Sequence, residues 1–194
     1  QNGRIENCLI RTDDDCVTTK GFGEMLGIIP YPPVEDVTVE RCVLWTDRAH
    51  VWRLGCECRA EAMRRLYFRD IDVLHYRDNL WAITAQPAED MLMEDVRFEN
   101  IRFNGEGQPM FIEITTAPTP WAKQQKPGNL RNIVFKNMTL SGVSGDALIQ
   151  MGGSDGDHTV EGISFENVVR YGKRLKSDSP HISVGEYAKD IEYK

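Results

Sequence analysis

Six stretches of this chain repeat one pattern of apolar and polar positions. They begin at Arg4 (RIENCLI), Val37 (VTVERCVLW), Leu66 (LYFRDIDVL), Val96 (VRFENIRF), Ile133 (IVFKNMTL) and Ile163 (ISFENVV). In each, an apolar residue, a variable one and a second apolar one lead to a charged residue and then a polar one; in the first stretch the leading apolar residue is missing. The polar residues are Asn7, Arg41, Asp70, Asn100, Asn137 and Asn167, spaced 34, 29, 30, 37 and 30 residues apart. Within the repeat, sides alternate: Val37, Val39 and Cys42 against Thr38 and Glu40, Phe98 and Ile101 against Arg97 and Glu99. A period of two predicts strands with one face buried.

A second short apolar run follows in each repeat from the second onward: VWRL from Val51, LWAI from Leu80, MFIEI from Met110, ALIQM from Ala147 and HISV from His181. Polar turns such as Asn104-Gly105 and Ser144-Gly145-Asp146 separate the runs. No helical period stands out; Arg59–Leu66 is at most one turn. Two or three strands in each ~30-residue repeat predict an all-β fold, a right-handed parallel β-helix of about six coils. Leucine-rich repeats are disfavoured by the period and the missing L-x-x-L-x-L pattern, and a propeller blade needs four strands. The chain reads as one domain over residues 1–194, part of a longer one, because it starts at Gln1 and Ile191–Tyr193 begin a coil that does not finish. Insertions at Gly21–Pro33 and Thr115–Asn129 are expected as surface loops, either around a groove or merely tolerated.

A net charge of −7 without a basic tract argues against nucleic acid as partner. No apolar run reaches the ~18 residues of a membrane span. The five cysteines, Cys8, Cys16, Cys42, Cys56 and Cys58, do not have zinc spacing. Cys8 and Cys42 occupy equivalent repeat positions, so they form either a buried ladder of small side chains or a disulfide.

The candidate chemistry is concentrated at Asp13-Asp14-Asp15, just ahead of Cys16-Val17 and Lys20. Adjacent carboxylates raise one another's pKa, which suits an acid/base pair, although a solvated acidic turn has the same composition. Neighbouring side chains on a strand point to opposite faces, so Asp14 and Asp15 can share a groove only from a bulge or turn.

The stretches ENCLIRTDDDCVTTK, VEDVTVERCVLWTDRAHVWRLG and RRLYFRDIDVLHYRD resemble the polysaccharide hydrolases of glycoside hydrolase families 28 and 49, the polygalacturonases and the dextranase group, which share the pectin-lyase-like β-helix. The resemblance rests on Asp14-Asp15-Cys16-Val17 against a D-D-C-[IV] step, on His50 with Gly55 five residues later, and on Trp45 and Ile71–His75. It covers about residues 4–103. It implies inverting hydrolysis with Asp14 as acid and Asp15 in the base pair, Asp13 in reserve if the register is off by one, a third Asp one coil upstream of Gln1, and a secreted or periplasmic protein. The R-I-K motif that binds a uronate should fall near Asn79–Thr84, where the chain reads NLWAIT; this favours a neutral or plant-type polysaccharide. His50 is flanked by Ala49 and Val51 instead of glycines.

Arg53 is expected outward, contacting sugar or solvated, if Trp52 and Leu54 point in. Trp121 is expected exposed and able to stack on a sugar, Trp81 in the core, His75 as a satisfied turn residue, and Asp155–His158 as a polar turn and not a calcium loop. No cofactor or metal is expected. The rival functions are a non-catalytic carbohydrate-binding, adhesin-like or tailspike-like segment, and a polysaccharide lyase, which would want a basic residue and often calcium. Exposed coil ends allow end-to-end self-association.

Overall fold

The computed structural model describes residues 2–21, 31–76, 80–104, 110–122, 124–142 and 147–194. The turn residues Gly105 and Ser144–Asp146, Asn79, and residues 22–30 of the first insertion lie outside them. The chain is all-β, a parallel β-helix of about 6 turns. One sheet holds β1 (Gly3–Glu6), β2 (Leu9–Thr12), β4 (Val34–Glu40), β5 (Val43–Thr46), β7 (Ala62–His75), β9 (Leu92–Asn104), β11 (Asn129–Ser141), β13 (Val160–Arg170), β14 (Lys173–Arg174) and β16 (Ala188–Tyr193). The other is β3 (Val17–Thr19), β6 (Trp52–Gly55), β8 (Ile83–Gln86), β10 (Met110–Thr115), β12 (Leu148–Gly152) and β15 (Ile182–Val184), each parallel to the next. Arg59–Leu66 contributes the start of β7 and no helical turn.

The repeated polar residue has a conformational cause. Asn7, Arg41, Asp70, Asn100, Asn137 and Asn167 all lie in the left-handed region, with φ between 51° and 56°. A left-handed residue bends the strand, and Asn and Asp tolerate that conformation better than other L-residues. Five positions earlier a second row does the same: Asn2, Asp36, Arg65, Asp95, Asn132 and Gly162. Each long strand is thus creased twice. At the first crease Asn100 donates to Asp70 at 2.8 Å, Asn137 to Asn100 at 3.1 Å and Asn167 to Asn137 at 2.9 Å, a ladder running along the axis.

Inside, equivalent positions stack. Phe68, Phe98, Phe135, Phe165 and Tyr193 form one column with ring centroids 4.9–5.3 Å apart. This is close to the strand spacing, so parallel in-register pairing dictates the stacking. Trp52, fully buried, meets Phe98 edge-on at 5.5 Å from the opposite wall. Outside, Glu40 is covered by guanidinium groups and not by apolar core: Arg4, Arg41 and Arg69 all reach it, and although occlusion pushes its pKa up, the bonds from Arg69 and Arg4 bring it net below the usual range.

Cys8 and Cys42 are in adjacent coils, with the Val43 N–H donating to the Cys8 carbonyl at 2.9 Å. All five cysteines are free. Cys42 is buried as a ladder member should be, whereas Cys8, in the first described coil, is exposed.

Candidate functional site

Between the first sheet and the second, each coil turns a corner. Asp13–Cys16 form this corner between β2 and β3, and Asp47–Val51 form it between β5 and β6. The three aspartates therefore sit in a turn and not on a strand, and they diverge. Asp13 is exposed and pairs with exposed Arg48 at 3.3 Å. Asp14 is exposed, and its Oδ1 accepts the Asp15 backbone N–H at 2.8 Å, capping the turn. With Arg48 and Ala49 these two line a shallow pocket of about 310 Å³.

Asp15 turns inward. Its Oδ1 accepts the His50 backbone N–H at 3.1 Å and lies 3.0 Å from His50 Nδ1. Register explains the meeting, since Val17 pairs with Trp52 and the two residues are equivalent in adjacent coils. Arg53 Nη1 stands 3.1 Å from His50 Nε2 and 3.2 Å from Nδ1. Arg53 can only donate and ionised Asp15 can only accept, so the network assigns the proton to Nδ1 and leaves Nε2 to accept from Arg53. Arg53 Nη2 also reaches the buried Cys56 thiol at 3.1 Å. Burial pushes the Asp15 pKa up, but the hydrogen bonds from His50 outweigh it, and the net shift is downward.

Arg53 points outward as expected, between the fully buried Trp52 and Leu54. It belongs to an outward row, Thr18, Arg53, Thr84, Glu113, Gln150 and Ser183, in strict register across the second sheet. Glu113 in this row was not singled out by the sequence reading. Burial pushes its carboxyl pKa up, and His50 and Arg53 only partly counteract that. Buried Thr84 lies between Arg53 and Glu113; its hydroxyl lacks a partner of good hydrogen-bond geometry yet is near enough to Glu113 to favour its ionised form. The signal was present in the sequence: MFIEI and VWRL are equivalent strands, with Glu113 and Arg53 at the same position.

The remaining candidates fall elsewhere. Trp81 is half-buried and not in the core, because it lies in the corner two residues ahead of Ile83, where β8 begins. Trp121 is 69% exposed. Its loop lies across the opposite ends of the second-sheet strands: Gln86 donates to the Ala117 carbonyl at 2.7 Å, Thr119 Oγ1 is 3.6 Å from Cys56 Sγ, and Gln124 N–H donates to Glu89 at 3.0 Å. On the other side of the corner, Trp45 stacks on His75 at 4.9 Å with the Arg11 guanidinium 5.1 Å from its ring, and His75 Nδ1 contacts the Thr46 carbonyl at 2.8 Å. Asp155 Oδ1 accepts the backbone N–H groups of Asp157 and His158, a polar turn. No group of three His, Cys, Asp or Glu side chains among the described residues is placed to hold a metal ion.

Comparison with protein-family models, with curated proteins and with solved structures gave no match.

Proposed function

We propose that this protein is a glycoside hydrolase that cleaves a polysaccharide laid along the corner of the β-helix, with Asp15 as general base and Glu113 as general acid. The observation that supports this most is the opposite displacement of two carboxyl groups that face the same His50–Arg53 pair: Asp15 is held down and Glu113 pushed up. Environments that drive two carboxyls apart in pKa provide one acid and one base near neutral pH. Inverting hydrolysis needs the two ~6.5–9.5 Å apart, with room for water between. Their strands are three steps apart, roughly 14 Å between backbones; Asp15 reaches His50 in the next coil and Glu113 interacts with Thr84 in the coil before its own, so the two side chains approach each other across that gap. Glu113 would protonate the glycosidic oxygen and Asp15 would take a proton from the attacking water. His50 and Arg53 act as positioning residues. Asp14, the acid that the family resemblance implies, caps its own turn, so Glu113 replaces it in this proposal.

The absence of a cation in Asn79–Thr84 supports a neutral stretch of glycan at the point of cleavage. Reducing-sugar release from a panel of glucans and galactans, with Asp15→Asn and Glu113→Gln as controls, tests the reading. Release that both substitutions abolish is expected; release that survives them removes the assignment.

A non-catalytic carbohydrate-binding role has its own support in Trp121, 69% exposed, whose ring is open to stack on a sugar. Binding without any release, weakened by Trp121→Ala and not by Glu113→Gln, would favour it.

A further inference from the structure

The cations of this chain are distributed unevenly. Among the described residues, nearly every lysine and arginine forms an ion pair with a carboxylate, from Arg4 with Glu40 to Lys194 with Glu192. Arg53 faces His50 in the candidate site instead, and Arg170 is buried, donating to the carbonyls of Ala147 and Pro180. That leaves Lys173, Arg174 and Lys176, which have no carboxylate partner among the described residues. All three line one cavity of about 830 Å³, together with Tyr171, His181 and a single described carboxylate, Asp178.

The cavity is built and not incidental. β14 pairs antiparallel with the end of β13, Arg170 opposite Lys173. Buried Leu175 anchors the hairpin from below, and its N–H donates to the Val168 carbonyl at 2.8 Å. Three cations are thereby held on an ordered hairpin with Asp178 as the single described carboxylate beside them, an excess of two positive charges among these four residues. Such an arrangement repels itself, and an anion brought into it relieves the repulsion.

Its position is informative too. Residues 171–181 connect the end of β13 to β15, so they form the same corner as Asp13–Cys16 and Asp47–Val51. Four strand steps separate the β6 corner from the β15 corner, roughly 19 Å along the axis. A linear saccharide running along this edge would reach both.

We propose that this cavity binds an acidic saccharide, one whose sugars carry carboxylate or sulfate groups. Spaced single charges suit three cations on one hairpin, and half-buried Tyr171 offers an apolar surface beside them. A net charge of −7 opposes any long polyanion, and most of all a nucleic acid duplex with one charge per ~1.7 Å, so a short run of charged sugars is the ligand favoured here. The proposal does not rest on the hydrolase reading.

Isothermal titration calorimetry on the full chain tests it, with tetragalacturonate, a sulfated chondroitin tetrasaccharide, methyl-esterified tetragalacturonate as the uncharged match, inorganic phosphate and a short oligothymidylate. At least one acidic saccharide should bind about tenfold or more tighter than the uncharged match, a difference typical of charge-assisted contacts. The Lys173→Gln/Arg174→Gln/Lys176→Gln variant should lose that preference, whereas Asp15→Asn should keep it even if hydrolysis fails. These three side chains are exposed, so the variant should fold, and unchanged circular dichroism would show it. Equal binding of charged and uncharged saccharides, tighter binding of phosphate or oligothymidylate, no binding at all, or an unaffected triple variant would each overturn the proposal.

Discussion

Asp15 grips His50 at two points, taking the backbone N–H at 3.1 Å and the ring Nδ1–H at 3.0 Å with one carboxylate oxygen. The two residues lie 35 positions apart and meet because parallel pairing sets equivalent corners one coil apart. The pair therefore joins fold stability to site geometry.

The Asp15 pKa is lowered on folding, burial being outweighed by the His50 hydrogen bonds. A depressed carboxyl contributes stability above its unfolded pKa of about 3.9, and that contribution disappears as pH falls through the lower folded value. The wild-type melting temperature should exceed that of Asp15→Asn at pH 6, and the gap should close below about pH 4. Thermal melts of both proteins from pH 6 to 2.5 check this; a constant gap would contradict it.

Glu113 has the opposite sign. Burial raises its pKa in the fold, so its contribution is complete below the unfolded pKa and is lost as pH rises through the folded one. Glu113→Gln should therefore raise the melting temperature at pH 7 while lowering kcat by about 10²- to 10⁴-fold, the usual weight of a general acid. The fall of wild-type activity on the alkaline side should vanish in the variant's residual rate. A variant that is less stable and fully active would assign Glu113 to the scaffold alone.

Phe135 stacks on Phe98 at 5.2 Å and Phe165 at 5.1 Å and is fully buried. Phe135→Ala opens a gap in the middle of the column and should cost about 3–5 kcal/mol. Phe135→Leu should cost clearly less. Urea unfolding midpoints at constant m-value measure both.

Asn137 combines a φ of 51° with two ladder bonds, donating to Asn100 and accepting from Asn167. Asn137→Ala loses both bonds and leaves a β-carbon in the left-handed region, a cost of roughly 2–3 kcal/mol. Asn137→Gly loses the same bonds without that strain and should be the milder change by about 1 kcal/mol. Chemical denaturation of the two variants side by side decides it; equal losses would mean that the ladder bonds alone matter.

Free cysteines predict that a reductant leaves the melting temperature unchanged and that five thiols titrate in denaturant. In the native protein exposed Cys8 should react first, and Cys58, whose thiol pKa burial pushes up, should be slow.

Much of the architecture was legible in the chain. Alternating apolar positions and a polar residue every thirty or so positions reflect constraints that each coil meets on its own: a buried strand face and a left-handed crease that Asn or Asp accepts. The second crease row was harder to see, because it mixes Asn, Asp, Arg and Gly in one structural position. The site was only half legible. Asp15, His50 and Arg53 could be named from their positions, but adjacency in sequence suggested that Asp13, Asp14 and Asp15 act together, and the turn sends them apart. Trp81 read as core because its run is apolar, although the strand begins two residues later.

Local backbone preference and burial are enough to set the coil: its length, its inward residues and the crease at Asn7 through Asn167 can all be read along the chain. Which coils share chemistry depends instead on how they stack. Stacking in register turned residues 35 positions apart into the Asp15–His50 contact. It aligned Arg53, Thr84 and Glu113 across neighbouring strands, and it gathered Lys173, Arg174 and Lys176 around one cavity. The physical reason is that parallel pairing moves the chain about 4.8 Å along the axis for each coil, so proximity on the surface follows repeat position and not distance along the chain.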